Sequence, residues 1–221
     1  KTAYEIYQCD WSSDVCSSDL VLELVEVGVD REGRIVEHEL NKRVVALSPE
    51  RLKDIPCVMI ASGGRTKAEG LRGVLKGGMC DVIITDEQTE GRGRDGRTWV
   101  APPGAGLLLS VFLRPNAATY AKLGMVASLA AADAIAAVTG LTATIKWPND
   151  LLVNGRKVGG VLVEGHFFGE VPHHAAVGVG INVNWDDIDI PAAPHVPTSL
   201  SRELAQSVDR NALAIALLNH L

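Results

Sequence analysis

The chain has 221 residues, a length that suits one or two domains. It is 47% hydrophobic with a mean hydropathy of +0.13, which is enough to build a core, and no apolar run is as long as a membrane span. The formal net charge of −6 argues against a general nucleic-acid binder, which normally carries a basic excess.

The composition also sets an expectation for the compartment. The first residues lack the basic-then-apolar order of a secretory signal. The four cysteines have neither metal-ligand spacing nor a dense disulfide pattern: Cys9, Cys16, Cys57 and Cys80. We therefore expect a cytoplasmic protein that does not enter a membrane.

Residues 1–20 have no helical or strand period, and serine, aspartate and cysteine alternate irregularly over residues 10–20. Their back-translation matches the primer and adapter sequences of common sequencing libraries. Because a sequence scar carries no information about a fold, we expect residues 1–20 to be adapter-derived, disordered and without functional weight. The alternative is a genuine disordered tail.

A separate unit is predicted for residues 21–87. Its predicted elements are a strand at 21–29, a turn at 30–33, a segment that pairs back from 34, a strand at 58–61, a turn at 62–67, a helix at 68–76 and a strand at 80–85. A strand, glycine turn, helix and strand in this order form a parallel βαβ unit. The turn leaves amides at a helix N-terminus, which is a suitable seat for a phosphate.

This unit resembles the C-terminal part of the sugar-binding effector domains of bacterial transcriptional regulators. The matching strings are L-N-x-R-V-V-x-L-S at 40–48, G-G at 63–64, K-A-E at 67–69 and G-G-x-x-D-V-I-I-T-D-E at 77–87. The resemblance implies a sugar-phosphate-binding module. The helix-turn-helix and the first half of such a domain are absent, so we expect residues 21–87 to be a fragment.

A loop at residues 91–99 reads G-R-G-R-D-G-R-T-W. Glycines between the arginines let the backbone wrap closely around a ligand while the guanidinium groups face it. The alternative is a flexible arginine-glycine tail of the kind that binds RNA, but such tails are repetitive and flanked by disorder. This loop lies between predicted strands at 82–85 and 106–113, so we expect an anchored, ligand-binding loop.

The periodicity downstream predicts further helices and one more strand. Helices are predicted at 117–138, 199–206 and 210–220, with Gly140 ending the first and Asp209 capping the last. A strand is predicted at 175–184, with glycines where a ligand or another backbone comes close. Met125, Leu129 and Ala132 recur at helical spacing and are predicted to belong to the core.

The stretch 146–164 reads K-W-P-N-D-L-L-V-N-G-R-K-V-G-G-V-L-V-E. Pro148 forces a bend, and Asn-Gly at 154–155 is the strongest short hairpin signal. The hairpin would fold Lys157 back towards Lys146 and Asp150. Two cations and a carboxylate at a bend suit an anion together with a metal-bound phosphate. A merely solvated hairpin is the alternative.

His173 and His174 are adjacent histidines that suggest a metal site at first sight. Neighbouring side chains on a strand point to opposite faces. We therefore expect the pair to be incidental.

Three ordered motifs between about residues 86 and 221 resemble the biotin protein ligases. They are the G-R-G-R-x-G-R-x-W loop, the K-W-P-N-D hairpin with its R-K and G-G-V-L-V-E strand, and G-V-G-I-N at 178–182. The resemblance implies an α/β (α+β) fold with a mixed β-sheet and flanking helices, like the class II aminoacyl-tRNA synthetases. It also implies an enzyme that forms biotinyl-5′-AMP from biotin and ATP and then biotinylates a lysine of a carboxylase carrier domain.

The same resemblance implies roles for individual residues. The implied catalytic residues are Lys157, bridging the biotin carboxylate and the α-phosphate, Arg92 and Arg94, holding carboxylate and phosphates, and Asp150, holding a metal or the incoming amine. The implied biotin-binding residues are Gln88, Gly91, Arg92, Gly93, Arg94, Lys157, Gly160 and Asn182. The implied ATP-binding residues are Arg94, Arg97, Trp99, Lys146, Asn149 and Asn182. Mg2+ is implied as a cofactor, held at Asp150.

The chain also departs from the family pattern. It contains no S-T-N triplet, which in the ligases forms one wall of the biotin pocket, and it stops before their C-terminal β-barrel. We expect three segments, 1–20, 21–87 and 88–221, in a recombined reading frame joined at the shared Asp-Glu of 86–87. We therefore expect little or no ligase activity. The acceptor would be a biotin carboxyl carrier protein, and the oligomeric state, a homodimer included, stays open.

Overall fold

The computed structural model describes residues 22–24, 27–29, 34–36, 58–61, 81–85, 88, 90–187 and 195–221. The chain divides into two compact units, Lys1–Ile84 and Thr85–Leu221. Several predictions lie outside the described residues: the disordered segment 1–20, the turn at 62–67, the helix at 68–76 and the junction at 86–87.

The described part of the first unit consists of short strands. Strands β1 (Leu22–Leu24), β2 (Val27–Val29) and β3 (Ile35–Val36) form an antiparallel sheet in that order. The single strand predicted at 21–29 is therefore wrong, because Leu22 pairs with Val29 across a hairpin. Strands β4 (Val58–Ala61) and β5 (Val82–Thr85) confirm the two strands predicted for the βαβ element.

The second unit is built on antiparallel strands that follow the order β6-β10-β9-β8-β7. The strands are β6 (Gly106–Leu113), β7 (Thr144–Lys146), β8 (Asp150–Val153), β9 (Arg156–Phe168) and β10 (Val171–Asn182). The helices are α1 (Ala117–Tyr120), α2 (Leu123–Thr139), α3 (Leu200–Leu204) and α4 (Arg210–His220). A sheet flanked by helices confirms the predicted fold class.

The hairpin between β8 and β9 forms where the sequence predicts it. Asn154 and Gly155 both have positive φ angles, 51° and 74°. That is the requirement of the tight turn whose twist matches two antiparallel strands. The turn places the start of β9 beside β8 and thereby brings Lys157 back to Asp150.

The long helix predicted at 117–138 is wrong in one respect, because it is two helices. The amide of Lys122 donates to the carbonyl of Thr119 at 3.0 Å, a short-range bond that tightens and ends α1. No glycine or proline marks this break in the sequence. Gly140 ends α2 in the left-handed conformation with φ 72°, as predicted.

The face of α2 that packs inward is also different from the predicted one. Met125 is 61% exposed and Leu129 is 49% exposed. The buried face is formed mainly by small side chains: Leu123, Ala127, Ser128, Ala130, Ala131, Ala134 and Ile135. Alanines let α2 lie close to α4 and to strands β9 and β10. Because most positions of this helix are apolar, spacing alone cannot identify its inner face.

The hairpin between β9 and β10 contains an irregularity near its tip. Pro172 pairs with Phe167 and His174 pairs with His166, so His173 is the extra residue of a β-bulge. A bulge re-aims side chains, and here the Nδ1 atoms of His173 and His174 lie 2.9 Å apart. The prediction that these two histidines point to opposite faces is therefore wrong. Among the described residues, no helix is both long and apolar enough to cross a membrane.

Candidate active site

A cavity of about 900 Å³ lies within the second unit, over the sheet and beneath the arginine-glycine loop. It is lined by the loop at 90–100, the turn at 146–150 and the inner parts of β6, β9 and β10. The predicted site residues that line it are Gln88, Arg92, Gly93, Arg94, Arg97, Trp99, Lys146, Asn149, Asp150, Lys157, Gly160 and Asn182. Residues that lie far apart in the sequence therefore meet around one space.

Gly91 is the predicted site residue that does not line the cavity. It is buried, and a Cβ atom there would collide with the carbonyl of Trp99. Its missing side chain therefore lets the two ends of the loop approach each other. The structure gives Gly91 a role in shaping the loop.

The arginine-glycine loop is closed by its own backbone. The amide of Trp99 donates to the carbonyl of Gly91 at 2.8 Å, and the amide of Gly93 donates to the carbonyl of Arg97 at 2.7 Å. Between them, a single 3-10 turn spans Arg94–Gly96, with Asp95 at φ 58°. These bonds agree with an anchored loop and not with a flexible tail.

The three arginines of the loop have exposed side chains. Arg92 contacts Glu164 at 3.3 Å, and Arg94 contacts Asp95 at 3.6 Å. Both pairs are at the surface, where an ion pair contributes about 0–1 kcal/mol. The guanidinium groups can therefore exchange these carboxylates for a ligand anion at little cost.

The centre of the site is the pair formed by Lys157 and Asp150. The Nζ atom of Lys157 lies 2.5 Å from Oδ1 of Asp150, with side chains only 22% and 16% exposed. The two residues are not register partners, since Asp150 pairs with Gly160. A Cβ atom on Gly160 would lie 3.7 Å from the carboxylate and 3.8 Å from Cε of Lys157. A side chain at position 160 would therefore be in ordinary van der Waals contact with both members of the pair.

The second carboxylate oxygen of Asp150 faces a residue that sequence reasoning missed. Nε2 of His195 lies 3.9 Å from Oδ2 of Asp150 and 2.7 Å from Nζ of Lys146. Lysine donates in this hydrogen bond, so the imidazole nitrogen accepts. His195 thereby lies between Lys146 and the Asp150–Lys157 pair. A single histidine in a proline-rich loop carries no motif, and only the fold reveals it.

The turn that carries Asp150 is fixed to the neighbouring strand. The Trp147–Pro148 peptide bond is cis, and Trp147 is 84% exposed. The side-chain amide of Asn149 donates to the backbone carbonyl of Val161 at 2.9 Å, and the backbone carbonyl of Asn149 accepts from the backbone amide of Val161 at 2.9 Å. The Asn149 side chain thus positions the turn.

Trp99 covers part of the cavity floor. A Cβ atom on Gly180 would lie 2.8 Å from its indole ring, so this glycine of β10 permits the contact. The indole nitrogen is buried and has no hydrogen-bond partner among the described residues. Leaving a buried donor unsatisfied costs about 1–3 kcal/mol. Nζ of Lys157 lies 5.9 Å from the ring centre.

Asn182 lies at the inner end of β10 and is 5% exposed. The side-chain amide of Asn182 donates to the backbone carbonyl of Thr198 at 3.0 Å. The backbone of Lys157 pairs with the segment that contains Thr198. The amide of Lys157 donates to the carbonyl of Val196, and the carbonyl of Lys157 accepts from the amide of Thr198. The segment 196–198 therefore fixes the backbone of Lys157 from behind the cavity.

A buried carboxylate holds this segment in place. The Glu203 side chain, 1% exposed, accepts hydrogen bonds from Asn154, Arg156 and Thr198. Burial by itself raises the pKa of Glu203, but the bonds from Thr198 and Asn154 and the charge of Arg156 outweigh it, so the pKa is lowered. No sequence motif indicates this residue, whose partners come from two separate segments.

Two family models match parts of the chain. Residues 76–182 match the biotin/lipoate A/B protein ligase family, and residues 18–91 match a family described as a putative sugar-binding domain. The two matches overlap at residues 76–91, which include the predicted junction at 86–87.

Individual proteins give a consistent result. The bifunctional ligase/repressor BirA of Bacillus subtilis is 36% identical over 132 residues, covering 58% of this chain and 41% of that protein. The biotin–[acetyl-CoA-carboxylase] ligase of Paracoccus denitrificans is 39% identical over 163 residues, covering 68% and 65%. The chain therefore spans less than two thirds of the length of these relatives.

Solved structures are also similar to a large part of the chain. A biotin protein ligase from Aquifex aeolicus in complex with biotin and ATP superposes with a TM-score of 0.55 at 31% identity, covering 63% of this chain and 57% of that chain. A biotin protein ligase from Leishmania major in complex with biotin has a TM-score of 0.59 at 23% identity, covering 74% and 71%, which shows a shared fold.

Proposed function

Because residues 76–182 of this chain match the biotin/lipoate A/B protein ligase family, we propose that its second unit activates biotin with ATP. The product would be biotinyl-5′-AMP, from which the biotinyl group passes to a lysine of a carboxylase carrier domain. The observation that carries the proposal is the half-buried Lys157–Asp150 pair at the centre of a cavity rimmed by arginines.

The first step brings a carboxylate to a triphosphate, and both are anions. A carboxylate oxygen of biotin attacks the α-phosphorus, the bond to the bridging oxygen breaks, and pyrophosphate leaves with the electron pair. Fixed cations aimed at the developing charge supply much of the stabilisation in such a step. Lys157 would supply it at the reacting atoms, and Arg92, Arg94 and Arg97 would bind the carboxylate and phosphates.

The second step needs a group that receives an incoming amine. A lysine amine attacks the acyl carbon, the acyl–phosphate bond breaks, and AMP leaves. When Lys157 turns to the anionic intermediate, the Asp150 carboxylate loses its partner. It would then accept a hydrogen bond from the amine and orient it. Lys146, linked to His195, would bind phosphate oxygens on the same side.

The site suits Mg2+ only with a nucleotide present. Asp150 is the carboxylate at the centre of the cavity, and one of its oxygens is paired with Lys157. No group of three or more carboxylate, histidine or cysteine ligands surrounds it among the described residues. Mg2+ commonly binds one or two carboxylates together with substrate phosphates. Asp150 would offer its free oxygen to such an ion, which would neutralise phosphate charge.

The biotin moiety would lie on a floor with few side chains. Gly178 of β10 and Gly160 of β9 line the cavity and leave room above the sheet, whereas the Trp99 ring fills the space over Gly180. Polar groups at its edge, including Gln88 and Asn182, would bond the ring system of the ligand. A buried polar ligand needs such partners.

The absence of an S-T-N triplet from this sequence bears on the rate. If one wall is missing, polar atoms of the biotin ring lose partners, and each unpaired buried group costs about 1–3 kcal/mol. We therefore expect weak biotin binding and slow turnover. Slow adenylation is compatible with the proposed chemistry, but its complete absence is not.

The experiment compares Lys157→Ala with Lys122→Ala, which removes an exposed lysine outside the cavity. Biotin-dependent pyrophosphate release is measured in both. Losing a charge that acts mainly in the transition state should lower the rate about a hundredfold or more in Lys157→Ala, with no change in Lys122→Ala. Pyrophosphate release at the normal rate from Lys157→Ala would refute the role.

A second function is proposed for the first unit because residues 18–91 match a putative sugar-binding domain. Its ligand would be a phosphorylated sugar. A ligand that binds only the folded state raises the melting temperature. Phosphorylated sugars should therefore stabilise this unit, whereas biotin and ATP should stabilise the second unit. No shift with any phosphorylated sugar would reject this function.

The remaining assignments follow from the proposed reaction. The acceptor would be a biotin carboxyl carrier protein, and the reaction would take place in the cytoplasm, where its nucleotide is abundant. A homodimer stays a prediction that sedimentation would test.

A further inference from the structure

Three histidines gather at the tip of the β9–β10 hairpin. One ring nitrogen from each of His166, His173 and His174 lies within 4.8 Å of the other two, and all three residues are exposed. None of them lines the cavity described above. We propose that this cluster, termed the tip histidines, binds a divalent transition-metal ion such as Zn2+, Co2+ or Ni2+.

The backbone creates this arrangement. His166 and His174 are direct register partners on antiparallel strands, so their side chains share one face of the hairpin. Their rings are stacked at 5.0 Å with an interplanar angle of 5°. Without the bulge, the His173 side chain would face the opposite side of the hairpin. The bulge turns it towards the other two histidines. Two strands and one irregularity therefore aim three imidazoles at one point.

The distances suit a tetrahedral ion after small side-chain rotations. Zn–N bonds of 2.0–2.1 Å place tetrahedral ligands about 3.4 Å apart. The Nδ1 atoms of His173 and His174 are 2.9 Å apart, and the widest separation in the cluster is below 4.8 Å. Exposed side chains can close such gaps by changes within their rotamer wells. A water molecule would take the fourth position.

The ligand type selects the class of metal. Neutral imidazole is a good ligand for zinc, cobalt, nickel and copper, whereas Mg2+ and Ca2+ prefer oxygen. Metal binding requires the neutral imidazole, so the affinity of the cluster should fall on acidification. The charge of Arg114 acts on His174. The Arg114 charge also opposes a cation, which favours moderate affinity.

Aromatic rings flank the tip histidines on one side. Phe168 contacts His173 with ring centroids 4.8 Å apart and His166 at 5.3 Å. Apolar neighbours restrict ring orientations and reduce access of water to a bound ion. The Phe168 ring is itself 65% exposed, so an ion would reach the cluster directly from solvent.

The test uses Co2+ titrated into the reduced full chain, with visible absorption as the readout. Histidine ligation in a tetrahedral site gives d–d bands in the visible range, whereas cysteine ligation adds intense thiolate-to-metal absorption in the near ultraviolet. We expect about one equivalent of Co2+ to bind without the thiolate band. Zn2+ should displace it, and a large excess of Mg2+ should not.

Variants identify the ligands. His166→Ala and His174→Ala should each weaken Co2+ binding at least tenfold, whereas His220→Ala, which removes an exposed histidine at the end of α4, should leave it unchanged. Equal melting temperatures of the metal-free proteins would establish that folding is intact. Unchanged Co2+ affinity in both tip variants, or a thiolate band in place of the histidine bands, would overturn the proposal.

Discussion

Replacing Glu203 with alanine tests how the segment behind the cavity is held. The change removes the acceptor of hydrogen bonds from Asn154 at 2.8 Å, Arg156 at 2.9 Å and Thr198 at 2.5 Å. Thr198 is fully buried, so its hydroxyl loses its acceptor at a cost of about 1–3 kcal/mol. The Arg156 side chain is 43% exposed and can turn to water, so its pair adds only about 0–1 kcal/mol.

The free energy of unfolding of the second unit should therefore fall by about 2–4 kcal/mol, and its melting temperature by on the order of 10 °C. Urea titration followed by tryptophan fluorescence reports this unit, because Trp99, Trp147 and Trp185 all lie in it. Glu170→Ala, at an exposed turn, is the control. A loss below about 1 kcal/mol, or an equal loss in the control, would refute the reasoning.

The same carboxylate predicts a dependence on pH. Its folded-state pKa is held below the ordinary value of 4.5. A depressed pKa stabilises the fold above the unfolded-state pKa, and the stabilisation is lost as the pH falls through the folded-state pKa. The stability difference between the natural chain and Glu203→Gln should therefore be largest at neutral pH and shrink on acidification. A difference that stays constant through this range would exclude the mechanism.

Two further substitutions test the cavity. Arg94→Gly should leave the fold intact and let the reactive adenylate escape, because a loop with fewer anion contacts opens more often. Chromatography measures the free biotinyl-5′-AMP. An unchanged ratio of free adenylate to transferred biotin would contradict this prediction. Gly160→Ala should change stability by less than about 0.5 kcal/mol, because its Cβ meets neighbours no closer than 3.4 Å. It should nonetheless weaken binding of biotin and ATP by filling space beside Lys157, so calorimetry that finds equal affinity would argue against the assigned floor.

Local signals account for the parts of the site that the sequence predicts. The hairpin of β8 and β9 follows from Asn154 and Gly155, which favour positive φ angles. Local pairing of these two strands brings Lys157 to Asp150. The arginine-glycine loop is likewise a contiguous motif, and its bonds between Gly91 and Trp99 lie within nine residues.

The parts that escape prediction depend on contacts between distant segments. The role of Glu203 depends on contacts with Asn154, Arg156 and Thr198. The role of His195 depends on its position beside Lys146 and Asp150. Nothing in a single sequence records which segments become neighbours in this way.

Backbone irregularities escape prediction for a different reason. The bulge at His173 overturns the strict alternation on which the prediction for this pair rested. The break before α2 is marked by no glycine or proline. The alanine-rich face of α2 is the buried one because it allows close packing, and larger apolar side chains of this helix are exposed. A periodic pattern of apolar residues reflects the average geometry of a helix or strand. The residues at these irregularities depart from that average geometry.

The central claim is that the cavity around Lys157 and Asp150 forms a biotinyl adenylate. The most direct measurement incubates an excess of the full chain with biotin and ATP in a single turnover and quantifies biotinyl-5′-AMP by mass spectrometry. Such an experiment detects even a slow enzyme, because the product accumulates in proportion to the protein. The account predicts adenylate that requires both substrates, persists in Lys122→Ala and is lost in Lys157→Ala. No biotin-dependent adenylate from the natural chain, or an equal amount from Lys157→Ala, would contradict it.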